Sequence, residues 1–202
     1  MIDNEILDRP SYWARIEPWV GVQLIKVLAG QRRVGKSCLL RSLRHQMQRQ
    51  SPDVPVLFVD MERSEWAHLR TAADLESWVL GEAPADPAVL MIDEVQEIED
   101  FHVALRSLHA RARFDIYVTG SNAELLSGEI ATRFAGRSLE VPVHPLSYDE
   151  FLVFHDLEDN DEALRLFLRY GGLPFLRNLR LTDEIAFEYL HGVAQTAILK
   201  DV

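Results

Sequence analysis

The sequence predicts an α/β fold with a parallel β-sheet between helical layers, followed by a smaller all-helical part. Two observations carry this expectation. Short apolar runs rich in β-branched residues alternate with stretches of helical spacing over residues 1–143, and such alternation needs crossover connections that make neighbouring strands parallel. From Ser147 onward the strand signal disappears and only helical segments remain.

Residues 22–29 are largely apolar and read as the first strand, entering a glycine-bearing loop. Residues 38–50 follow, with Leu39, Leu43 and Met47 at i, i+4 and i+8 forming one stripe of an amphipathic helix. Residues 55–60 read as a second strand. Residues 75–80 belong to a helix closed by Gly81 and the turn-rich Ala83-Pro84-Ala85-Asp86-Pro87. A third strand, 88–92, runs into Asp93-Glu94; Phe101, Leu105, Leu108 and Ala112 then give helical spacing. The fourth strand, 114–119, ends at Gly120-Ser121-Asn122. The fifth, 139–143, contains Pro142, which lacks an N–H and so marks a sheet edge or a strand end. Residues 149–154, 161–170 and 182–200 read as helices, with Gly171-Gly172-Leu173-Pro174 as a break. The expected division is a core over residues 1–143 and a helical appendage over 144–202.

Length and composition bound the class. A chain of 202 residues forms one substantial domain, or one with a small appendage. Its 48% hydrophobic and 26% charged content is that of a soluble globular protein. No run reaches the roughly eighteen apolar residues of a membrane helix. Met1-Ile2-Asp3-Asn4-Glu5 lacks the basic and apolar regions of an export signal, and Cys38 is the only cysteine, so a reducing cytoplasm is expected. Cys38 itself reads as a small buried side chain. A net charge of −11 argues against a surface that coats nucleic acid generally but allows a local basic patch. Arg32, Arg33 and Lys36 suit phosphates, whereas Arg41, Arg44 and Arg49 read as a solvated helix face.

Gly30-Gln31-Arg32-Arg33-Val34-Gly35-Lys36-Ser37 fits G-x-x-x-x-G-K-[ST], the phosphate-cradling P-loop. Its two glycines allow a sharp turn and close backbone approach. The loop N–H groups and the positive end of the following helix point at one anion. Lys36 would reach the β- and γ-phosphates and Ser37 would ligate Mg²⁺. Strand, loop and helix stand in the required order, so residues 30–38, Cys38 included, are the candidate ATP-binding segment.

A triphosphatase also needs a carboxylate for Mg²⁺ and a base for the attacking water. Val89-Leu90-Met91-Ile92-Asp93-Glu94 supplies both: Asp93 as the Walker B metal carboxylate and Glu94 as the catalytic base. In a parallel sheet both lie on the same rim as the loop. Glu97, Glu99 and Asp100 read as a solvated loop and helix start. Gln96 reads as a surface residue, with a phosphate or partner contact as the other option. Asn122, ahead of Ser121 and Thr119, is the candidate sensor of the γ-phosphate or the lytic water; capping of a following helix is the competing use. Arg133 and Arg137 suit charge developing on a transferring phosphoryl group, since the guanidinium fork donates several hydrogen bonds at fixed geometry.

With these pieces the chain resembles a prokaryotic AAA-type ATPase family. The resemblance rests on the run from Lys26 to Ser37, on Ile92-Asp93-Glu94-Val95-Gln96, on Asp115 through Asn122, on Ala131-Thr132-Arg133-Phe134-Ala135-Gly136-Arg137 and on Tyr170-Gly171-Gly172-Leu173-Pro174. It implies an ATP-binding core of strand order 5-1-4-3-2 and a helical lid. It also implies Asn122 as sensor 1, and Arg133 or Arg137 as an arginine finger acting on a neighbouring subunit, hence a homo-oligomer. Members usually continue into a winged-helix-like and nuclease-like region, which this chain does not reach. The expected function is Mg²⁺-dependent ATP hydrolysis driving a conformational switch. The alternatives are a nucleotide-gated binding module with negligible hydrolysis and a DNA-associated ATPase; the protein or DNA target is left open. No Asn-Lys-x-Asp guanine-reading motif is present.

Overall fold

The structure, a computed structural model, describes residues 7–83, 86–120, 134 and 136–200. They group into two compact units. One takes in Asp8–Ala29 and Lys36–Pro142, the other Gly30–Gly35 and the residues from Val143 onward.

The first unit is an α/β layer fold. Its strands are β1 (Ile25–Ala29), β2 (Val56–Asp60), β3 (Ala88–Asp93), β4 (Phe114–Gly120) and β5 (Ser138–Pro142). They pair in the order β2-β3-β4-β1-β5, all parallel, which read from the other edge is the implied 5-1-4-3-2. Every residue of β1 and of β3 is buried. Strands covered on both faces read as unbroken apolar runs, which is why these two stand out in the sequence. Ile25, Val27, Leu90, Ile92, Ile116 and Val118 meet Leu75, Val79, Leu105 and Leu108 of the helices in one core. Pro142 ends β5 at the sheet edge, where a missing N–H is tolerated.

The helices of this unit are α1 (Pro10–Ile16), α2 (Lys36–Gln50), α3 (Ala72–Glu82) and α4 (Phe101–Ala110). The sequence reading has no counterpart for α1, which starts on Pro10 and buries Tyr12 and Ile16. α3 is longer than its apolar middle suggests, because Thr71 and Asp74 close a reciprocal capping box at its start. β1 is shorter than predicted. Residues 22–24 lie outside it: the Val22 N–H donates to the Trp19 carbonyl and, one residue earlier, the Gly21 N–H to Asp115 Oδ2, at 3.1 and 2.8 Å.

That last bond belongs to a buried cluster at the amino ends of β1 and β4. Lys26 is fully buried and donates to the Asp115 carboxylate and, at 2.5 Å, to the Val22 carbonyl. The Tyr117 hydroxyl donates to Asp115 Oδ2 at 2.9 Å. Burial lowers the Lys26 pKa and Asp115 opposes that shift; burial and the Asp115 charge raise Tyr117.

The second unit contains α5 (Tyr148–His155), α6 (Asp161–Tyr170) and α7 (Asp183–Lys200). Ser147 and Glu150 box the start of α5, and Asn160 accepts from the Ala163 N–H to cap α6. Tyr170, Leu176 and Ala186 form its small core with Leu166, Leu173 and Leu190. Gly172 is required by close approach: a Cβ there would stand 2.2 Å from the Leu146 carbonyl oxygen, and the Gly172 carbonyl accepts from the Leu146 N–H at 2.7 Å. Among the described residues no helix is long and apolar enough to cross a membrane.

Replacing Asp115 by Ala leaves a buried ammonium without its counter-ion. The expected loss is about 3–5 kcal/mol in chemical denaturation, with Asp115→Asn retaining part of it.

Candidate functional site

Parallel register brings three strand ends together on the carboxyl rim of the sheet. Asp60, the last residue of β2, lies opposite Asp93, the last of β3. Both carboxylates are buried, at 4% and 0% exposure, so each must be compensated. Asp60 is: Arg41 donates to Oδ2 at 2.9 Å, Arg63 lies 3.3 Å from the same oxygen, and the Glu62 N–H donates to Oδ1. Asp93 is only half satisfied. Its Oδ1 accepts from the Thr119 hydroxyl at 2.5 Å, while Oδ2 is buried with no hydrogen-bond partner.

Burial pushes the Asp93 carboxyl above its ordinary pKa, helped by Asp60 and Glu94; the nearby Thr119 and Ser37 hydroxyls act against it. Glu62, largely exposed at the end of β2, is pushed the same way by partial burial and by Glu94, Asp93 and Asp60. Such a rim has an excess of negative charge and an oxygen that lacks a donor.

Glu94 follows in the left-handed region at φ 55°. This turn lets its N–H donate to Thr119 Oγ1 at 3.0 Å, so one hydroxyl ties the backbone of Glu94 to the side chain of Asp93. The chain then enters a single helical turn, Val95–Glu97, in which Gln96 Nε2 donates to Glu94 Oε2. Gln96 is therefore half-buried beside Glu94, the candidate base, not the surface residue favoured from sequence.

Lys36 and Ser37 open α2 in the same unit, with Lys36 only 4% exposed. Cys38 is exposed, correcting the expectation of a buried thiol. The helix phase explains it: Leu39, Leu43 and Met47 face the core, and Cys38 shares the opposite face with His45 and Arg49. Two arginines expected on that solvated face are also elsewhere. Arg41 pairs with Asp60, and the Arg44 guanidinium lies 5.1 Å from the Phe58 ring centroid.

The loop residues Gly30–Gly35 pack within the helical unit. A Cβ on Gly30 would lie 2.3 Å from the Val143 carbonyl oxygen. Gly35 sits at φ 92° with the Pro174 ring 3.6 Å from where its Cβ would be. Val34 is buried, Gln31 is exposed, and Arg32 is half-buried. Arg33 adopts φ 69°, and its guanidinium stands 5.6 Å from the Tyr189 ring centroid on α7.

Of the remaining candidates, Asn122, Ser121 and Arg133 lie outside the described residues. Arg137 is exposed just before β5, where its carbonyl accepts from the Ile25 N–H at 2.9 Å. That is the amino end of the sheet, so the fold does not bring Arg137 to the rim that carries Asp93 and Lys36. Sequence reasoning missed Asp60, Glu62 and the linking role of Thr119. Asp60 was discoverable, since it ends the second apolar run as Asp93 ends the third.

Thr119→Val keeps the shape but strips the hydroxyl from both Asp93 and the Glu94 N–H. Urea unfolding is expected to show a loss of about 1–3 kcal/mol, recovered by Thr119→Ser.

Comparisons with known proteins agree with this architecture. The AAA domain family profile matches residues 22–152. An uncharacterized protein of Haemophilus influenzae is 31% identical over 209 residues, covering all of this chain and 52% of that protein, so the chain spans about half of that relative's length. AMPPCP-bound DnaA from Aquifex aeolicus superposes with TM-score 0.50 at 16% identity, over 95% of this chain and 61% of that one. The Aeropyrum pernix ORC1 protein, solved in complex with DNA, gives TM-score 0.55 at 10% identity over 95% and 68%. At such identities the two structures speak for the fold alone. The match of the family profile to most of the chain, on a sheet of the implied order, places this protein in the AAA domain family of P-loop ATPases.

Proposed function

We propose that this protein binds ATP with Mg²⁺ and hydrolyses it, and that the cycle switches the arrangement of its helical lid, residues 144–202. The observation that carries this reading is the buried Asp93 carboxylate, with one oxygen lacking a donor, beside the Ser37 hydroxyl at the start of the helix that the glycine loop enters. A carboxylate in that condition fits a cation better than it fits a structural role. Ser37 and Asp93 would hold Mg²⁺, which supplies positive charge to the triphosphate oxygens. The loop N–H groups of residues 30–37 and the Lys36 ammonium grip the phosphates. Glu94 accepts a proton from the attacking water.

The AMPPCP in the DnaA relative supports a nucleotide as the ligand. Asn122 is assigned the sensor role. Arg133 or Arg137 acts, in this reading, on the nucleotide of a neighbouring copy; for Arg137 its place at the amino end of the sheet favours action in trans. ORC1 in complex with DNA raises DNA as a target, but a net charge of −11 weighs against binding through the general surface.

Calorimetry should show that wild-type protein retains ATP with magnesium present and that Lys36→Ala does not. Glu94→Gln should keep binding while phosphate release falls by about 10²–10⁴-fold. Equal hydrolysis by wild type and Glu94→Gln would remove the base assignment; tight binding with no turnover at any protein concentration would leave a nucleotide-gated module. A rate per subunit that climbs with concentration would show a site shared between copies.

A further inference from the structure

Gln96 is spent on the base. Its Nε2 donates to Glu94 Oε2, two residues back across the left-handed turn at Glu94. The turn is held in place independently: the Glu97 N–H donates to the Glu94 carbonyl at 3.1 Å, and Val95 between them is fully buried. The amide orientation is fixed by chemistry, because the opposite orientation would set its oxygen against a carboxylate oxygen.

The other end of that amide is the informative one. Gln96 Oε1 is buried and has no hydrogen-bond partner. A buried carbonyl left so costs about 1–3 kcal/mol, a cost a surface glutamine avoids by turning into solvent. The oxygen can be satisfied only by a donor or a cation, and it is carried on the same amide that holds the base.

We propose that Gln96 orients the attacking water in ATP hydrolysis, with Oε1 accepting one O–H while Glu94 accepts the other. This deepens the ATPase reading and rests on it. A water with both O–H bonds directed has its lone pair aimed, which is the geometric requirement for attack. The balance is simple. The water oxygen forms a bond to the γ-phosphorus, the bond from that phosphorus to the ADP oxygen breaks, and the proton passes to Glu94; Gln96 exchanges no proton. The Nε2 bond keeps the Glu94 carboxylate from swinging away from the water that Oε1 holds.

The test uses the whole chain with saturating Mg²⁺ and ATP for phosphate release, and a non-hydrolysable ATP analogue for affinity. Gln96→Leu removes both donor and acceptor, and Gln96→Met repeats this at the original side-chain length in case the leucine variant folds poorly. Turnover is expected to fall about 10²-fold with analogue affinity within about twofold of wild type. The double variant Gln96→Leu/Glu94→Gln is expected to be no slower than Glu94→Gln alone, since groups that act on one water lose their effect together. A residue with a merely structural role would weaken analogue binding or give losses that multiply. The proposal is overturned if both single variants keep wild-type turnover, or if the double variant multiplies the two losses. A wild-type protein that binds the analogue but never releases phosphate sinks the ATPase reading itself, a result distinct from either.

Discussion

A parallel sheet must end all its strands on one rim, and here that rule crowds carboxylates. Register sets Asp60 directly across from Asp93, and Glu94 follows on the next residue. Burial on this rim disfavours ionisation, and the neighbouring carboxylates add to it, which is the sense of the raised Asp93 and Glu62 pKa values. The fold answers with one device per group. Asp60 takes two arginines, Asp93 takes the Thr119 hydroxyl, and Glu94 takes the Gln96 amide. Thr119 matters beyond its own bond, because the same oxygen accepts from the Glu94 backbone and so fixes Glu94 relative to the Asp93 side chain.

The opposite end of the sheet gives a useful contrast. Lys26, Asp115 and Tyr117 are also polar groups taken out of water, yet both Asp115 oxygens are bonded, and the cluster ties the turn before β1 to β4. A closed network of that kind stabilises and specifies a fold. The carboxyl rim is different: Asp93 Oδ2 and Gln96 Oε1 are both buried and both lack a partner.

Much of this was legible in the sequence, and the reason is burial. β1 and β3 are covered on both faces and so are written as continuous apolar runs, and Pro142 announces an edge. The glycine loop and the Asp-Glu pair stand out in the sequence because they are particular residue types at a particular spacing. What escaped depends on orientation rather than type. Whether Cys38 is buried turns on 100° of helix phase. The position of Gln96 depends on Glu94 adopting a left-handed backbone that a glutamate rarely takes. The distance of Arg137 from the rim follows only once β5 is known to pair in parallel with β1, starting opposite Ile25. α1 and the ends of α3 were hidden because caps and a leading proline, not apolar periodicity, define them.

The loop itself shows how one residue type can answer two demands. From sequence, Gly30 is explained by close approach of the backbone to a phosphate. Its own surroundings add a second reason, since any side chain there would strike the Val143 carbonyl. Gly35 needs its glycine for a different cause, a φ of 92° that L side chains rarely adopt. Arg33 takes a positive φ without being glycine, a conformation that costs on the order of 1–3 kcal/mol and persists only when its surroundings over-determine it. The surroundings are specific: the guanidinium over the Tyr189 ring, and Phe175 packed 5.1 Å from that same ring. The aromatic contacts of the helical unit thus lie at the one non-glycine residue of the loop with a positive φ.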